Sequence, residues 1–257
     1  AYPDRIGLKR KSGDQRYLLR NGQGATLAPS SVVRNAEWLV AVETTGRNVG
    51  EDEIQLASAL TNTTVEEMFG DSLQWQREAG WDHSENRVVA REVRRLGAII
   101  MQERPVAATA NDTLPALLKL IQHQGLEVLP WTREIRQLQA RANFLHQHLA
   151  EPDWPDWSDT ALLEDLESWL PAWLANVKNQ KDLKRIELTA ALKARLGWKR
   201  LKELEHLAPE RLEVPSGSHI KLDYTGAELP VLAVKLQEMF GLAETPRLAN
   251  GRVPVLI

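Results

Sequence analysis

The chain contains no cysteine, which excludes disulfide staples and thiolate metal sites and fits a reducing cytoplasm. It has no apolar run of the roughly 18 residues a membrane span needs, and its first residues do not form the apolar core of a signal peptide, so neither membrane nor export is expected. Phosphate-binding turns are missing too. No G-x-x-x-x-G-K-[ST] occurs, nor any H-E-x-x-H, G-x-S-x-G or glycine-rich dinucleotide turn. Such motifs are short and hard to disguise, so their absence removes nucleotide hydrolysis and the common hydrolase chemistries from this stretch, and no catalytic residue is assigned. No internal repeat is visible.

What is present is an ordinary globular composition. At 257 residues, 43% hydrophobic and 26% charged, the chain is long enough for two or three compact units. Its net charge of −3 does not by itself point to a polyanionic partner. The start at Ala1-Tyr2-Pro3 and the apolar finish at Val253–Ile257 suggest a piece of a longer protein, because an unpaired apolar strand is an exposed edge.

The fold class expected is α+β, in three parts. Residues 1–105 read as β: Arg16–Leu19 runs into the turn Asn21-Gly22-Gln23-Gly24, and Ala36–Thr44 and Glu53–Leu60 alternate. A capped helical turn follows at Thr64–Glu67, then strands at Ser72–Arg77, Arg87–Arg94 and Ala98–Glu103, the first two joined by the polar turn Asp82–Asn86. Five or six short strands with a helix between the third and fourth fit a small closed barrel of the OB type or a plain antiparallel sandwich. Residues 106–208 read as helical, with apolar steps of three and four along Leu114–Gln124, Trp131–Leu149, Asp159–Trp173 (divided at Pro171), Leu183–Leu196 and Lys199–Leu207. Residues 209–257 begin a small β-containing domain, with strands at Arg211–Val214 and Ile220–Tyr224, an amphipathic helix over Val231–Phe240 and a last strand that stops short.

Charge is unevenly spread. Residues 1–34 carry seven basic side chains (Arg5, Lys9, Arg10, Lys11, Arg16, Arg20 and Arg34) against two acids. On the strands and loops of a barrel these are candidates for contact with single-stranded nucleic acid, with Tyr17 as a stacking partner if its ring faces outward. A second basic cluster, Lys178 to Lys202, reads first as solvated surface able to pair with the seven acids of residues 151–169, with nucleic-acid contact as the lesser alternative. Asp153, Asp156 and Asp159 around Trp154 and Trp157 have the look of a cation or glycosidase site, but an acidic connector with packed tryptophans explains them as well. His146 and His148 lie two apart on a helix and point to different faces, so they form no metal pair. Trp154, Trp157, Trp169 and Trp173 would suit a protein partner if they formed an exposed patch.

Several segments resemble the C-terminal region of bacterial HrpB-type DExH-box helicases. Near the start these are Ala1–Ile6, Arg16–Leu19 with Asn21–Ala25, and Arg87–Arg91 with Arg95–Ala98. Toward the end they are Val214–Ser218, Asp223-Tyr224, Pro230–Gly241, Thr245–Arg247 and Gly251–Val255. The resemblance implies an OB-like domain followed by a family-specific C-terminal region, here truncated. It also implies a RecA-like motor elsewhere that uses ATP and Mg, and RNA as partner. Asp52-Glu53 is followed by Ile54 and Gln55, so the family's motor motif has no match here, and no cofactor is expected in this stretch. Two functions remain in view: an RNA-facing accessory module, or a docking platform without nucleic-acid contact.

Overall fold

A computed structural model describes residues 3–10, 15–46, 51–149, 154–226 and 228–257. The chain divides into two compact units, one of residues 1–79 and 89–108, the other of residues 80–88 and 109–257.

In the first unit, five strands close into a barrel: β1 (Ile6–Lys9), β2 (Arg16–Leu19), β3 (Gly24–Leu27), β4 (Trp38–Thr45) and β5 (Asp52–Leu60), in the order β1-β2-β3-β5-β4. β4 returns antiparallel to β1, with Gly7 opposite Leu39, and β3 runs parallel to β5, with Thr26 opposite Glu53. Period-two alternation fills the interior with Tyr17, Leu19, Ala25, Leu27, Leu39, Ala41 and Ile54. Trp38 and Val40, on the other face of β4, join a second cluster with Ile6, Val65, Leu73, Leu96 and Ile99. That is why β4 is apolar at successive positions rather than alternate ones: both faces are covered. The helix α1 (Asn62–Phe69) starts where the Thr61 hydroxyl accepts from the Thr64 N–H at 3.1 Å, two residues before the turn expected at Thr64–Glu67.

The sequence misplaced the later strands. β6 (Trp75–Asp82), β7 (Arg87–Leu96) and β8 (Ile99–Val106) form a sheet of their own instead of closing the barrel, and α1 follows the fifth barrel strand. The places expected for them are taken by β1 and β3. These have four residues each, too few for alternation to show against background. The turn at Asp82–Asn86 is as expected: Asp82 Oδ1 accepts from the Ser84 N–H (2.7 Å) and hydroxyl (2.6 Å) and from the Glu85 N–H (3.0 Å).

The second unit is built on α2 (Ala110–Gln124), α3 (Arg133–His148), α4 (Asp159–Glu164), α5 (Leu166–Trp169), α6 (Pro171–Leu174), α7 (Gln180–Leu183), α8 (Leu188–Leu196) and α9 (Trp198–Leu207). A reciprocal Thr109–Asp112 capping box opens α2, and Ser158 caps α4. Pro171 stands at the first turn of α6 and divides the run as expected, because it lacks the N–H that a continuing helix would use. Leu117, Ile121, Leu138, Leu145, Leu162, Leu166, Leu170 and Leu192 meet in one core, which extends to Leu222 and Leu232 of the following strands.

Those strands are β9 (Arg211–Glu213), β10 (His219–Asp223), β11 (Val231–Leu232), β12 (Arg247–Leu248) and β13 (Val253–Pro254). The helix expected over 231–240 does not form. Val231 and Leu232 instead pair with β10, and only a 3-10 turn at Leu236–Met239 remains. The final run, expected as an open edge, is paired: the Leu232 N–H donates to the Leu256 carbonyl at 2.7 Å, and the Leu256 N–H to Pro230 at 2.9 Å.

One joint makes the second unit acid-sensitive. Asp223 Oδ1 accepts from the Thr225 hydroxyl (2.7 Å), the Thr225 N–H (2.8 Å) and the Gln137 amide (2.5 Å), with Arg133 3.6 Å from its other oxygen. These donors, the Thr225 hydroxyl first, hold its carboxyl down at about 2 against an ordinary 3.8. A depressed carboxyl contributes stability above its unfolded pKa, and that contribution is lost as pH falls from about 4 through about 2. With 38% of the side chain in water, screening leaves about 1 kcal/mol. Asp223→Asn is expected to lower the urea midpoint at pH 7 and leave it nearly unchanged at pH 2. An equal loss at both pH values would show that the charge plays no part.

Candidate nucleic-acid interface

The basic residues of the N-terminal stretch divide into two groups in the first unit. Because β1 and β2 are antiparallel with Lys9 opposite Tyr17, Lys9, Arg10 and Arg16 gather where the β1–β2 connection begins and ends. Lys9 Nζ donates to the Arg34 carbonyl at 2.6 Å, which brings the exposed Arg34 to the same end. Arg10 and Arg16 converge on one carboxylate, that of Glu51 just before β5, at 3.1 and 3.3 Å. Thr26 on β3 donates to the same carboxylate at 3.2 Å. Gly24 makes room for this arrangement. A Cβ there would lie 2.8 Å from both Arg10 Nη2 and Glu51 Oε1.

Arg5 and Arg20 lie at the opposite ends of β1 and β2. Arg5 donates to the Val42 carbonyl at 3.2 Å, and Arg20 donates to the Pro3 carbonyl at 3.4 Å and stacks over the Phe69 ring at 5.0 Å. Lys11 lies outside the described residues.

Tyr17 corrects the expectation of a stacking partner. It is fully buried in the barrel, its hydroxyl donates to the Ala36 carbonyl at 2.7 Å, and burial pushes its ionisation up. Position 17 falls on the inward phase of β2, so its ring is not available to a base. Among the described residues, the basic end of the barrel therefore offers cations without an aromatic platform of its own.

The tryptophan patch is also corrected. Trp154, Trp157 and Trp169 are buried in the helical core and Trp173 is half-buried. The Trp154 indole N–H donates to Ala142 at 2.8 Å and that of Trp169 to Leu162 at 3.1 Å. They are packing residues rather than a docking surface, although the buried Trp157 indole N–H finds no acceptor among the described residues. The neighbouring acids are used locally. Asp156 accepts from the Ser158 N–H at 2.7 Å, and Asp159 from Arg136 and Gln139, each at 2.7 Å. Asp153 lies outside the described residues, and among the described residues no group of three ligands could hold a metal. His146 is occupied by the Trp154 carbonyl at 2.7 Å. Among the described residues no helix is long and apolar enough to cross a membrane.

The second basic cluster is mostly exposed, as its reading as solvated surface expects, and pairs little with the acids. Of its nine cations, only Arg195 pairs with an acid of residues 151–169 among the described residues, bonding to Asp165. Sequence reasoning also passed over the arginines of β7. Arg91 and Arg95 share Glu78, at 3.2 and 2.7 Å, and Arg91 also reaches Glu103 at 2.8 Å. These cations are neutralised across the sheet.

Two family models match. One, the connector region of the ATP-dependent RNA helicase HrpB, covers residues 72–106, which is the stretch that forms the separate β6–β8 sheet; the other, the ATP-dependent helicase C-terminal model of HrpB, covers residues 169–257. The ATP-dependent RNA helicase HrpB of Escherichia coli K12 is 34% identical over 259 residues, across the whole of this chain and 32% of that protein. A crystal structure of the E. coli DExH-box NTPase HrpB superposes with a TM-score of 0.59 at 33% identity, over 99% of this chain and 32% of that one. A second, of the E. coli DEAH/RHA helicase HrpB, gives 0.58 at 32% identity with the same coverage. The chain thus spans about a third of the length of the relatives it matches.

Proposed function

We propose that this chain, which belongs to the HrpB-type helicases and matches their connector and C-terminal regions, is an accessory module that holds single-stranded RNA for a RecA-like motor lying outside it. ATP and Mg belong to that motor in this reading. The observation that carries it is the convergence of Lys9, Arg10, Arg16 and Arg34 at one end of a barrel with strand order β1-β2-β3-β5-β4. That order is the OB arrangement, in which the β2–β3 face and the β1–β2 and β4–β5 loops receive oligonucleotides. Arg10 directly follows β1 and Glu51 directly precedes β5. Phosphate contacts of this kind position a strand without reading its sequence.

Without a stacking ring at this end, binding there is electrostatic. Each phosphate engaged contributes about −0.7 to the slope of log affinity against log salt. In this arrangement Glu51 competes with phosphate for Arg10 and Arg16. Charge reversal at Lys9, Arg10 and Lys11 is expected to weaken binding of a labelled 12-nucleotide RNA about tenfold or more at low salt. Glu51→Gln is expected to tighten it about two- to fivefold, on the order of one surface ion pair. The reading fails if the chain shows no affinity at low salt and the charge reversals leave the RNA-stimulated ATPase of the full helicase unchanged. A docking role without nucleic-acid contact keeps one observation in its favour, the exposure of Leu236 and Phe240 (76% and 68%). It predicts that Leu236→Ser with Phe240→Ser impairs the full helicase where the barrel variants do not.

A further inference from the structure

The cations of this chain differ in how they are occupied. In the barrel, Lys9 and Arg20 are engaged by carbonyls, and Arg10 and Arg16 by Glu51. At the corner between α8 and α9, Lys193, Lys199 and Arg200 have neither a carboxylate nor a carbonyl partner among the described residues, and Lys202 lies over the ring of Trp198 with Nζ 3.9 Å from its centroid. Trp198 is 71% exposed. The other tryptophans of the second unit are buried or half-buried, so this indole is set apart from the core.

The corner has a local cause. Gly197 adopts φ +78°, and its N–H closes α8 on the Lys193 carbonyl at 3.0 Å, which turns the chain so that α9 begins at Trp198. Lys193 lies one turn before Gly197 on α8, and Lys202 one turn after Trp198 on the same face of α9. Lys202 covers one side of the ring, and the high exposure of Trp198 leaves the rest of the indole to solvent.

We propose that the α8–α9 corner is a second contact for single-stranded nucleic acid. Trp198 is the platform on which one unpaired base stacks, and Lys193, Lys199, Arg200 and Lys202 hold the flanking phosphates. An open aromatic face among unpaired cations is the combination by which sequence-tolerant single-strand sites work. An acidic peptide would use the cations and leave the indole idle. A duplex would hide the base faces the indole needs. The site lies wholly within the second unit and stands independently of the barrel.

The test uses the 257-residue chain carrying Lys9→Glu and Arg10→Glu, so that the barrel's share is removed first, with a labelled 12-nucleotide oligouridine at low salt. Trp198→Ala is expected to weaken binding about 5- to 160-fold, the span of one stacked base, whereas Trp198→Phe stays within about threefold. Lys199→Glu with Lys202→Glu is expected to flatten the salt slope by about 0.7 for each phosphate no longer engaged. Three results would overturn the proposal: binding unmoved by Trp198→Ala, Trp198→Phe failing as badly as Ala, or a polyglutamate peptide competing as well as the RNA. Complete loss of binding in the Lys9 and Arg10 variant itself would be a fourth, because a contact independent of the barrel must survive removal of the barrel's share.

Discussion

Replacing Arg141 with Ala is expected to cost the second unit about 3–5 kcal/mol. Arg141 is 1% exposed in the middle of α3, and one guanidinium ties three neighbours together. Nε donates to the Ala208 carbonyl at 2.7 Å and Nη1 to Glu210 at 2.9 Å, while Nη2 lies 3.0 Å from Glu205 as an ion pair without hydrogen-bond geometry. The side chain thereby fixes α3 against the C-terminal end of α9 and the start of β9. The ion pairs are not the largest part of the effect. Glu205 and Glu210 are 60% and 63% exposed, so water takes them back when the arginine is gone, and each pair is worth about 1 kcal/mol or less.

Two other losses dominate. The Ala208 carbonyl, on a fully buried residue, loses its donor at about 1–3 kcal/mol, and a cavity opens where a long side chain was. Arg141→Met, which keeps most of the volume and none of the donors, is expected to cost about half as much as Ala. Glu210→Gln is expected to cost under about 1 kcal/mol. Urea unfolding followed by tryptophan fluorescence reads the second unit well, since all nine tryptophans except Trp38 and Trp75 lie there. A Glu210→Gln loss as large as that of Arg141→Ala would mean the charges, not the buried carbonyl and the volume, decide the matter.

Arg141 also marks where the sequence stopped being informative. The apolar steps of α3 at Ile135, Leu138, Ala142 and Leu145 are legible, and all four are buried. Nothing in that spacing says that the arginine beside Ala142 turns inward, because its three partners come from residues 64 to 69 positions later in the chain. The barrel shows the same boundary. Turn chemistry at Asn21–Gly24, the β-branched run of β4 and the alternation in β5 are local, and they carry the β character of the region. The exit of β6–β8 from the barrel depends on partners that local pattern does not name.

The candidate site divides in the same way. Its cations could be listed from charge alone, but their division into a Glu51-centred group and an Arg5–Arg20 group depends on strand register. Tyr17 went inward because the phase of β2 is set by which face closes the barrel, and a four-residue strand gives no independent sign of that. Trp198 is the converse case. It is in phase with Leu201, Leu204 and Ala208 at steps of three and four, yet it is exposed, while Leu204 and Ala208 are buried. Periodicity reports the face of a helix, and not where along the axis the covering layer stops.

Gly97→Ala is expected to destabilise the first unit by about 2–4 kcal/mol. Leu96 pairs with Ile99, so Gly97 and Ala98 form the two-residue turn between β7 and β8, with Gly97 at φ +61°. The Ala98 N–H donates to the Arg20 carbonyl at the end of β2, 2.9 Å away. That approach leaves no space for a side chain. A Cβ at residue 97 would lie 2.3 Å from the Arg20 carbonyl oxygen and 2.6 Å from its Cγ. The left-handed conformation alone costs an alanine about 1 kcal/mol. The clash adds more, because its nearer partner is backbone and the hairpin can relieve it only by lifting away. Lifting would break the Ala98 hydrogen bond and draw Leu96 and Ile99 out of the cluster they share with Ile6, Trp38, Val65 and Leu73. Gly22 provides the comparison within the same unit: at φ +90°, its Cβ would meet only the Ala98 methyl at an ordinary 3.6 Å. Gly22→Ala should therefore show the conformational cost without the clash, about 1 kcal/mol. Equal losses in the two variants, measured by hydrogen exchange of the barrel amides, would remove the steric half of the argument and leave the hairpin tip free to shift.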